Sequence, residues 1–159
     1  MAIASSPHEN LHSDNPQVVV RPCHRIVLVE DNPADATLFR WALWEHGVQE
    51  EVEVFDNGEV AMAFARQEGL FKNDPPPDIV VVDLNLPGYD GMQILGSLWK
   101  NPLFCRTEMG IYSSSDDPRD RFRAMELGAD FYIQKPCDLE GLQALARRIG
   151  DLLRTAGPP

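Results

Sequence analysis

Charged and polar side chains follow four short apolar runs of this sequence, at the point where each run ends. Glu30 and Asp31 follow the first such run, Asp83 follows a later one, and Ser113 and Lys135 follow the last two. Carboxylates that converge on one place repel one another, and a hard divalent cation with oxygen ligands relieves that repulsion. Because Mg²⁺ takes few protein carboxylates and leaves positions for phosphoryl oxygens, the pattern predicts a Mg²⁺ site suited to phosphoryl chemistry.

The apolar runs have the length and the β-branched composition of strands that are buried on both faces. We predict strands at 26–29, 52–55, 79–82, 108–112 and 131–134. Caps, helical periodicity and terminating glycines predict helices at 33–46, 60–68, 90–100, 118–127 and from 138 onward, with Asn57-Gly58 as a turn.

Strands that alternate with helices in this way predict a doubly wound α/β fold, a five-stranded parallel sheet with five helices on its two faces. Ligands of such folds bind at the carboxyl ends of the strands. We therefore expect the polar residues that end the strands to lie together at one edge of the sheet.

Helical spacing also groups apolar side chains on one face of a helix. In the first helix, Ala34, Leu38, Trp41 and Ala42 keep a stripe at helical spacing. In the fourth helix we expect Phe122 and Met125 on the inner face.

Composition limits the classes of function. The 159 residues are 43% apolar and 25% charged, as in one globular domain. Lys and Arg number 14 against 25 Asp and Glu, and the net charge of −11 argues against nucleic-acid binding. The longest apolar run, 60–65, is far shorter than the roughly 18 residues of a membrane span. With no signal-peptide pattern at the amino terminus, we expect a cytoplasmic protein.

The segment DLNLPGYDG at 83–91 is the most specific in the chain. It resembles the phosphoacceptor loop of bacterial response-regulator receiver domains, and the acids, the hydroxyl and the lysine agree with that family in order and spacing. The resemblance covers about 25–154 and implies the strand order 2-1-3-4-5. Residues 1–24 show no sustained periodicity, so we expect a flexible leader before the domain and a short tail at 155–159.

Three features narrow the resemblance to small regulators that partner phytochrome-type histidine kinases. They are the sequence DLNLP at 83–87, the long loop before the third strand, and SSSDD at 113–117. Little chain follows Pro136 beyond one helix and a tail, so we expect a stand-alone regulator without an output domain.

The resemblance implies a role for each residue of the site. Asp83 is the expected nucleophile toward a phosphohistidine. Asp31 is expected to bind Mg²⁺ directly, Glu30 through water and Asn85 through its backbone carbonyl. Lys135 is expected to pair with the Asp83 carboxylate and then with a phosphoryl oxygen.

The resemblance also implies a switch that carries the signal to the surface. Ser113 is expected to donate its hydroxyl to the phosphoryl group, Tyr132 to move inward, and Pro136 to follow a cis peptide bond. The fifth strand and the last two helices are expected to pair in a homodimer that weakens with salt, while the downstream protein remains unknown.

Two other readings remain open. One is a small Mg²⁺-dependent phosphatase or phosphotransferase with an aspartyl intermediate. Such enzymes usually carry a second acid two residues after the nucleophile, whereas this chain has Asn85. The other is a binding scaffold that has lost its chemistry, although every phosphotransfer position is intact. We favour the regulator, which is not an enzyme beyond its own phosphotransfer and dephosphorylation.

Overall fold

A single parallel sheet forms the centre of the molecule. The computed structural model describes residues 24–155. The strands are β1 (Arg25–Val29), β2 (Glu51–Phe55), β3 (Ile79–Val82), β4 (Glu108–Ser113) and β5 (Phe131–Gln134). Their order in the sheet is β2-β1-β3-β4-β5, which confirms the predicted fold class and strand order.

Five helices connect and follow the strands. They are α1 (Pro33–Glu45), α2 (Gly58–Arg66), α3 (Gly91–Lys100), α4 (Pro118–Glu126) and α5 (Leu139–Thr155). Side-chain oxygens of Asn32, Asn57, Asp90 and Asp117 accept backbone N–H groups of the first turns of α1 to α4 and so fix where these helices begin. The Asn57-Gly58 pair is therefore the start of α2, not the predicted turn. Among residues 24–155, no helix has the length and apolar composition that a membrane span requires.

Alternate residues of each strand enter two separate apolar layers. In β1, Val27 and Val29 pack with α2, α3 and α4, whereas Ile26 and Leu28 pack with α1 and α5. The sheet is thus covered on both faces, which explains why β1 and β3 read as continuous apolar runs.

The helix predicted from the stripe of α1 is confirmed, but this stripe is not the face that α1 turns to the sheet. Ala42 is buried, but Leu38 and Trp41 are 42% and 39% exposed, and the helix faces the sheet with Phe39 and Leu43 instead. Spacing shows which residues share a helix face, but it does not determine which of two apolar faces meets the sheet.

The predicted inner face of α4 is wrong. Phe122 is 65% exposed and Met125 is 46% exposed, while Ala124 is buried. The face with Ala124 also presents Asp120, whose carboxylate accepts the Ser115 hydroxyl at 2.6 Å. This polar contact and the small Ala124 side chain orient α4, so its larger apolar residues point outward.

Gly110 lies in the middle of β4, directly beside Phe131 of β5 in the strand register. A Cβ atom at Gly110 would lie 2.0 Å from Cε2 of the Phe131 ring. Glycine is therefore required here for close packing, because the aromatic ring fills the space that a side chain would occupy.

Candidate functional site

Four strands end at the same edge of the sheet and bring the predicted residues together. The backbone N–H of Asp83 donates to the carbonyl of Val29 at 2.9 Å. The N–H of Lys135 likewise donates to the carbonyl of Ser113 at 2.8 Å. These bonds continue the strand ladders by one residue and fix the positions of Asp83 after β3 and Lys135 after β5.

The Lys135 ammonium is the centre of the site. Its Nζ lies 2.7 Å from Glu30 Oε2, 2.8 Å from Asp83 Oδ2 and 2.8 Å from Asp35 Oδ2. Burial alone would lower the pKa of Lys135, but the three carboxylates outweigh it and raise the pKa above its usual value. The side chain therefore remains a cation and balances part of the negative charge around it.

Sequence reasoning predicted the contact of Lys135 with Asp83 and missed Asp35. Asp35 lies in the first turn of α1, where an acid is common because the positive end of the helix dipole favours it. Asp35 and Lys135 are 100 positions apart in the sequence, so only the packing of α1 beside the site shows that the Asp35 carboxylate also binds the Lys135 ammonium.

Glu30 and Asp83 are carboxylates at buried positions, 1% and 3% exposed. Burial raises the pKa of Glu30 above its usual value, although Lys135 and the N–H of Asn32 oppose this effect by binding the charged form. Asp83 is held on both oxygens, because Oδ1 accepts the N–H of Asn85 at 3.1 Å while Oδ2 faces Lys135.

A cluster of oxygen donors suited to a divalent cation lies beside this lysine. One carboxylate oxygen each of Glu30, Asp31 and Asp83 falls within a group whose members are all within 4.8 Å of one another. Asp31 is exposed, so the cluster opens to solvent on one side. All-oxygen donors and excess negative charge fit Mg²⁺ or a similar hard cation.

The buried ring of Tyr112 in β4 lies beside the Lys135 ammonium. Lys135 Nζ lies 5.4 Å from the centroid of the Tyr112 ring, and Phe39 of α1 packs edge-on against the same ring. Burial first, and then the charge of Asp35, raises the pKa of Tyr112 to about 12. The phenol therefore stays neutral at physiological pH.

Ser113 and Tyr132 are joined through a single residue, Ser115. The Ser113 hydroxyl is fully buried and accepts the N–H of Ser115 at 3.2 Å. The Tyr132 hydroxyl donates to the carbonyl of Ser115 at 3.1 Å. Tyr132 is turned inward, and the Arg121 guanidinium carbon lies 5.0 Å from the centroid of its ring. The site and the β5 surface are thus linked by one short loop.

The prediction of a cis peptide bond before Pro136 is wrong. No peptide bond within residues 24–155 is cis, so Pro136 follows a trans bond. The trans form is the intrinsically favoured isomer of a bond to proline. Pro136 itself packs against Gly141 at the start of α5, where a Cβ atom would lie 2.7 Å from the proline Cβ.

This chain belongs to the response regulator receiver domain family, whose sequence profile matches residues 26–147. This match confirms the predicted family, and the strand order confirms the predicted fold. A receiver domain is the phosphoacceptor component of a two-component system, and this is the role of the chain.

Several proteins similar to this chain are response regulators that the chain covers over most of their length. The chain is 32% identical to response regulator Rcp1 of Synechocystis sp. over 124 residues, which cover 78% of this chain and 84% of Rcp1. The crystal structure of the phosphorylated cyanobacterial phytochrome response regulator RcpA matches with a TM-score of 0.77 and 36% identity, covering 86% of this chain and 99% of RcpA. The Mn²⁺-bound form of Rcp1 matches with a TM-score of 0.75 and 30% identity, covering 86% of this chain and 99% of Rcp1.

Several further curated relatives are longer transcriptional regulators. The chain spans only about half of their length, between 49% and 52%. Their likeness to this chain therefore concerns the receiver domain.

Proposed function

We propose that Asp83 accepts the phosphoryl group from the phosphohistidine of a sensor histidine kinase. A carboxylate oxygen of Asp83 attacks phosphorus, the P–N bond breaks with its electron pair left on the imidazole, and an acyl phosphate forms. The observation that carries this proposal is the 2.8 Å contact of the buried Asp83 with Lys135, directly beside a cluster of cation-binding oxygens.

The acidic cluster is the proposed Mg²⁺ site, formed by Glu30, Asp31, Asp83 and the backbone carbonyl of Asn85. When bound, Mg²⁺ supplies positive charge that offsets the carboxylates and the phosphoryl oxygens. The Mn²⁺-bound form of Rcp1 supports the choice of a divalent cation.

Lys135 and Ser113 have distinct proposed roles once the phosphoryl group is attached. Lys135 exchanges its contact with Asp83 for one with a phosphoryl oxygen. The Ser113 hydroxyl, which accepts the N–H of Ser115 in the structure, donates its proton to another phosphoryl oxygen. Movement of Ser113 is transmitted to Tyr132, because both side chains bind the backbone of Ser115.

The proposed partner is a kinase of the phytochrome type. Similarity to RcpA, described as a phytochrome response regulator, supports this assignment, since the two chains align over 99% of RcpA. With a net charge of −11, the chain is not proposed to bind nucleic acid.

The surface proposed to read the signal consists of α4, β5 and α5, and we define it as the output face. Phe122 and Met125 expose apolar side chains on α4 beside arginines such as Arg121. We propose that two copies pair through this face. Size measurement at low and high salt, with and without the phosphoryl group, tests the pairing; monomers under all four conditions exclude it.

Transfer of labelled phosphate from an autophosphorylated phytochrome-type kinase tests the phosphoacceptor. We expect labelling of the wild-type chain with Mg²⁺ and none of Asp83→Asn or in excess chelator. The matched control is Asp56→Asn, because Asp56 also follows a strand directly, at the end of β2, but is exposed and outside the site. Labelling of Asp83→Asn at the wild-type level would refute the assignment.

A further inference from the structure

Asp35 differs from the other two carboxylates that contact Lys135. Glu30 and Asp83 belong to the group of oxygens suited to a cation, and Asp35 does not. We propose that Asp35 is a positioning residue, which holds the Lys135 ammonium in place while phosphoryl transfer occurs at Asp83.

The hydrogen bonds of the ammonium support this role. Lys135 Nζ donates to Asp35 Oδ2 and to Asp83 Oδ2 at 2.8 Å, whereas its 2.7 Å approach to Glu30 Oε2 is an ion pair without hydrogen-bond geometry. The inference rests on the proposed function, in which Lys135 exchanges Asp83 for a phosphoryl oxygen. During that exchange Asp35 and Glu30 are the two fixed contacts.

The two fixed contacts come from different elements. Glu30 follows β1, whereas Asp35 projects from the first turn of α1. Without Asp35, only Glu30 would orient the ammonium, and Glu30 also belongs to the cation cluster. Lys135 would then sample more positions, and misplacement of a catalytic charge slows the reaction.

A purely structural role for Asp35 would be stabilisation of the positive end of the α1 dipole. Glu140 provides the matched control, because it is an exposed acid in the first turn of α5 and has no ion pair among residues 24–155. If the dipole were the whole explanation, Asp35→Ala and Glu140→Ala would have similar consequences.

The first test is a nitrogen-15 NMR spectrum of the lysine ammonium groups in the unphosphorylated protein. Lys135 is one of three lysines, and Lys72 and Lys100 are exposed, so a slowly exchanging signal reports Lys135. We expect Asp35→Ala to shift or broaden that signal and Glu140→Ala to leave it unchanged. An unchanged Lys135 signal in Asp35→Ala would overturn the proposal.

The second test is the rate of phosphorylation by acetyl phosphate at saturating Mg²⁺. We expect Asp35→Ala to react roughly tenfold more slowly than wild type, Asp35→Glu to recover most of the rate, and Glu140→Ala to react normally. A wild-type rate for Asp35→Ala would overturn the proposal. If the wild-type chain itself took up no phosphoryl group, the proposed function would fail, while the NMR spectrum would still test the Asp35 contact.

Discussion

The phosphoacceptor site buries polar side chains, whereas the output face exposes apolar ones. At the site, Glu30, Asp83 and Ser113 are polar side chains with at most 3% exposure. On the output face, Phe122 and Met125 are apolar side chains with 65% and 46% exposure. Soluble domains usually bury their apolar groups and expose their charges.

Neither arrangement is explained by the stability of the isolated chain. Buried carboxylates lower stability unless they are paired, and here one lysine faces two buried carboxylates, Glu30 and Asp83, and the partly exposed Asp35. An exposed phenylalanine adds little to folding, because its area remains in water. The comparison is in keeping with our proposals that a cation and a phosphoryl group bind at the site and that a second copy of the chain binds at the output face.

Replacement of Lys135 tests the site most strongly. We expect Lys135→Arg to slow phosphorylation about a hundredfold despite the retained charge, because a planar guanidinium does not fit the position of a compact ammonium. Labelling with acetyl phosphate measures the rate. A change of less than twofold would show that the shape of the cation is unimportant.

The packing between β4 and β5, which carry Ser113 and Tyr132, is tested at Gly110. We expect Gly110→Ala to lower the free energy of unfolding by about 2 to 3 kcal/mol, because the methyl group overlaps the Phe131 ring. Gly96→Ala in α3 is the control, since its Cβ would meet only Leu127 Cδ2 at 4.0 Å. Urea denaturation should show Gly96→Ala to be neutral or slightly stabilised; equal losses in both variants would contradict the packing argument.

The link between the two regions is tested by removing one hydroxyl. Tyr132→Phe loses the hydrogen bond to the Ser115 carbonyl, so we expect a loss of about 1 kcal/mol in unfolding free energy. We also expect the phosphorylated variant to show a smaller spectroscopic change at the output face. A full-sized change would mean that this bond does not transmit the signal.

The smallest effect on stability is expected on the output face. Phe122→Ser should alter the unfolding free energy by less than about 0.5 kcal/mol, because the ring is largely in water. By contrast, Phe104→Ala removes a ring that is 1% exposed and should cost about 3 to 5 kcal/mol. Association of two copies, measured by sedimentation, should weaken in Phe122→Ser. Unchanged association would show that Phe122 does not lie in the dimer interface.

Sequence patterns predicted the strands well, because β1 and β3 are short apolar runs that end at an acid, and β2 alternates glutamate with apolar residues. The edge of the sheet at which Glu30, Asp83, Ser113 and Lys135 meet followed from parallel topology alone. Asp35 could not be recognised, because an acid in the first turn of a helix has an ordinary explanation in the helix dipole.

The orientation of helices was the weaker part of the prediction. Both α1 and α4 carry apolar residues on more than one face. The stripe with Leu38 therefore does not mark the buried face of α1, and periodicity placed Phe122 on the wrong side of α4. Gly110 had no explanation in sequence, since the need for glycine arises from Phe131 on the neighbouring strand.

Location of the phosphoryl group is the most direct test of the proposed chemistry. The wild-type chain would be treated with acetyl phosphate, with Mg²⁺ or with excess chelator, and its peptides mapped by mass spectrometry. We expect one phosphoryl group, on Asp83, and only in the presence of Mg²⁺. A phosphoryl group on another residue, or full incorporation in chelator, would contradict it.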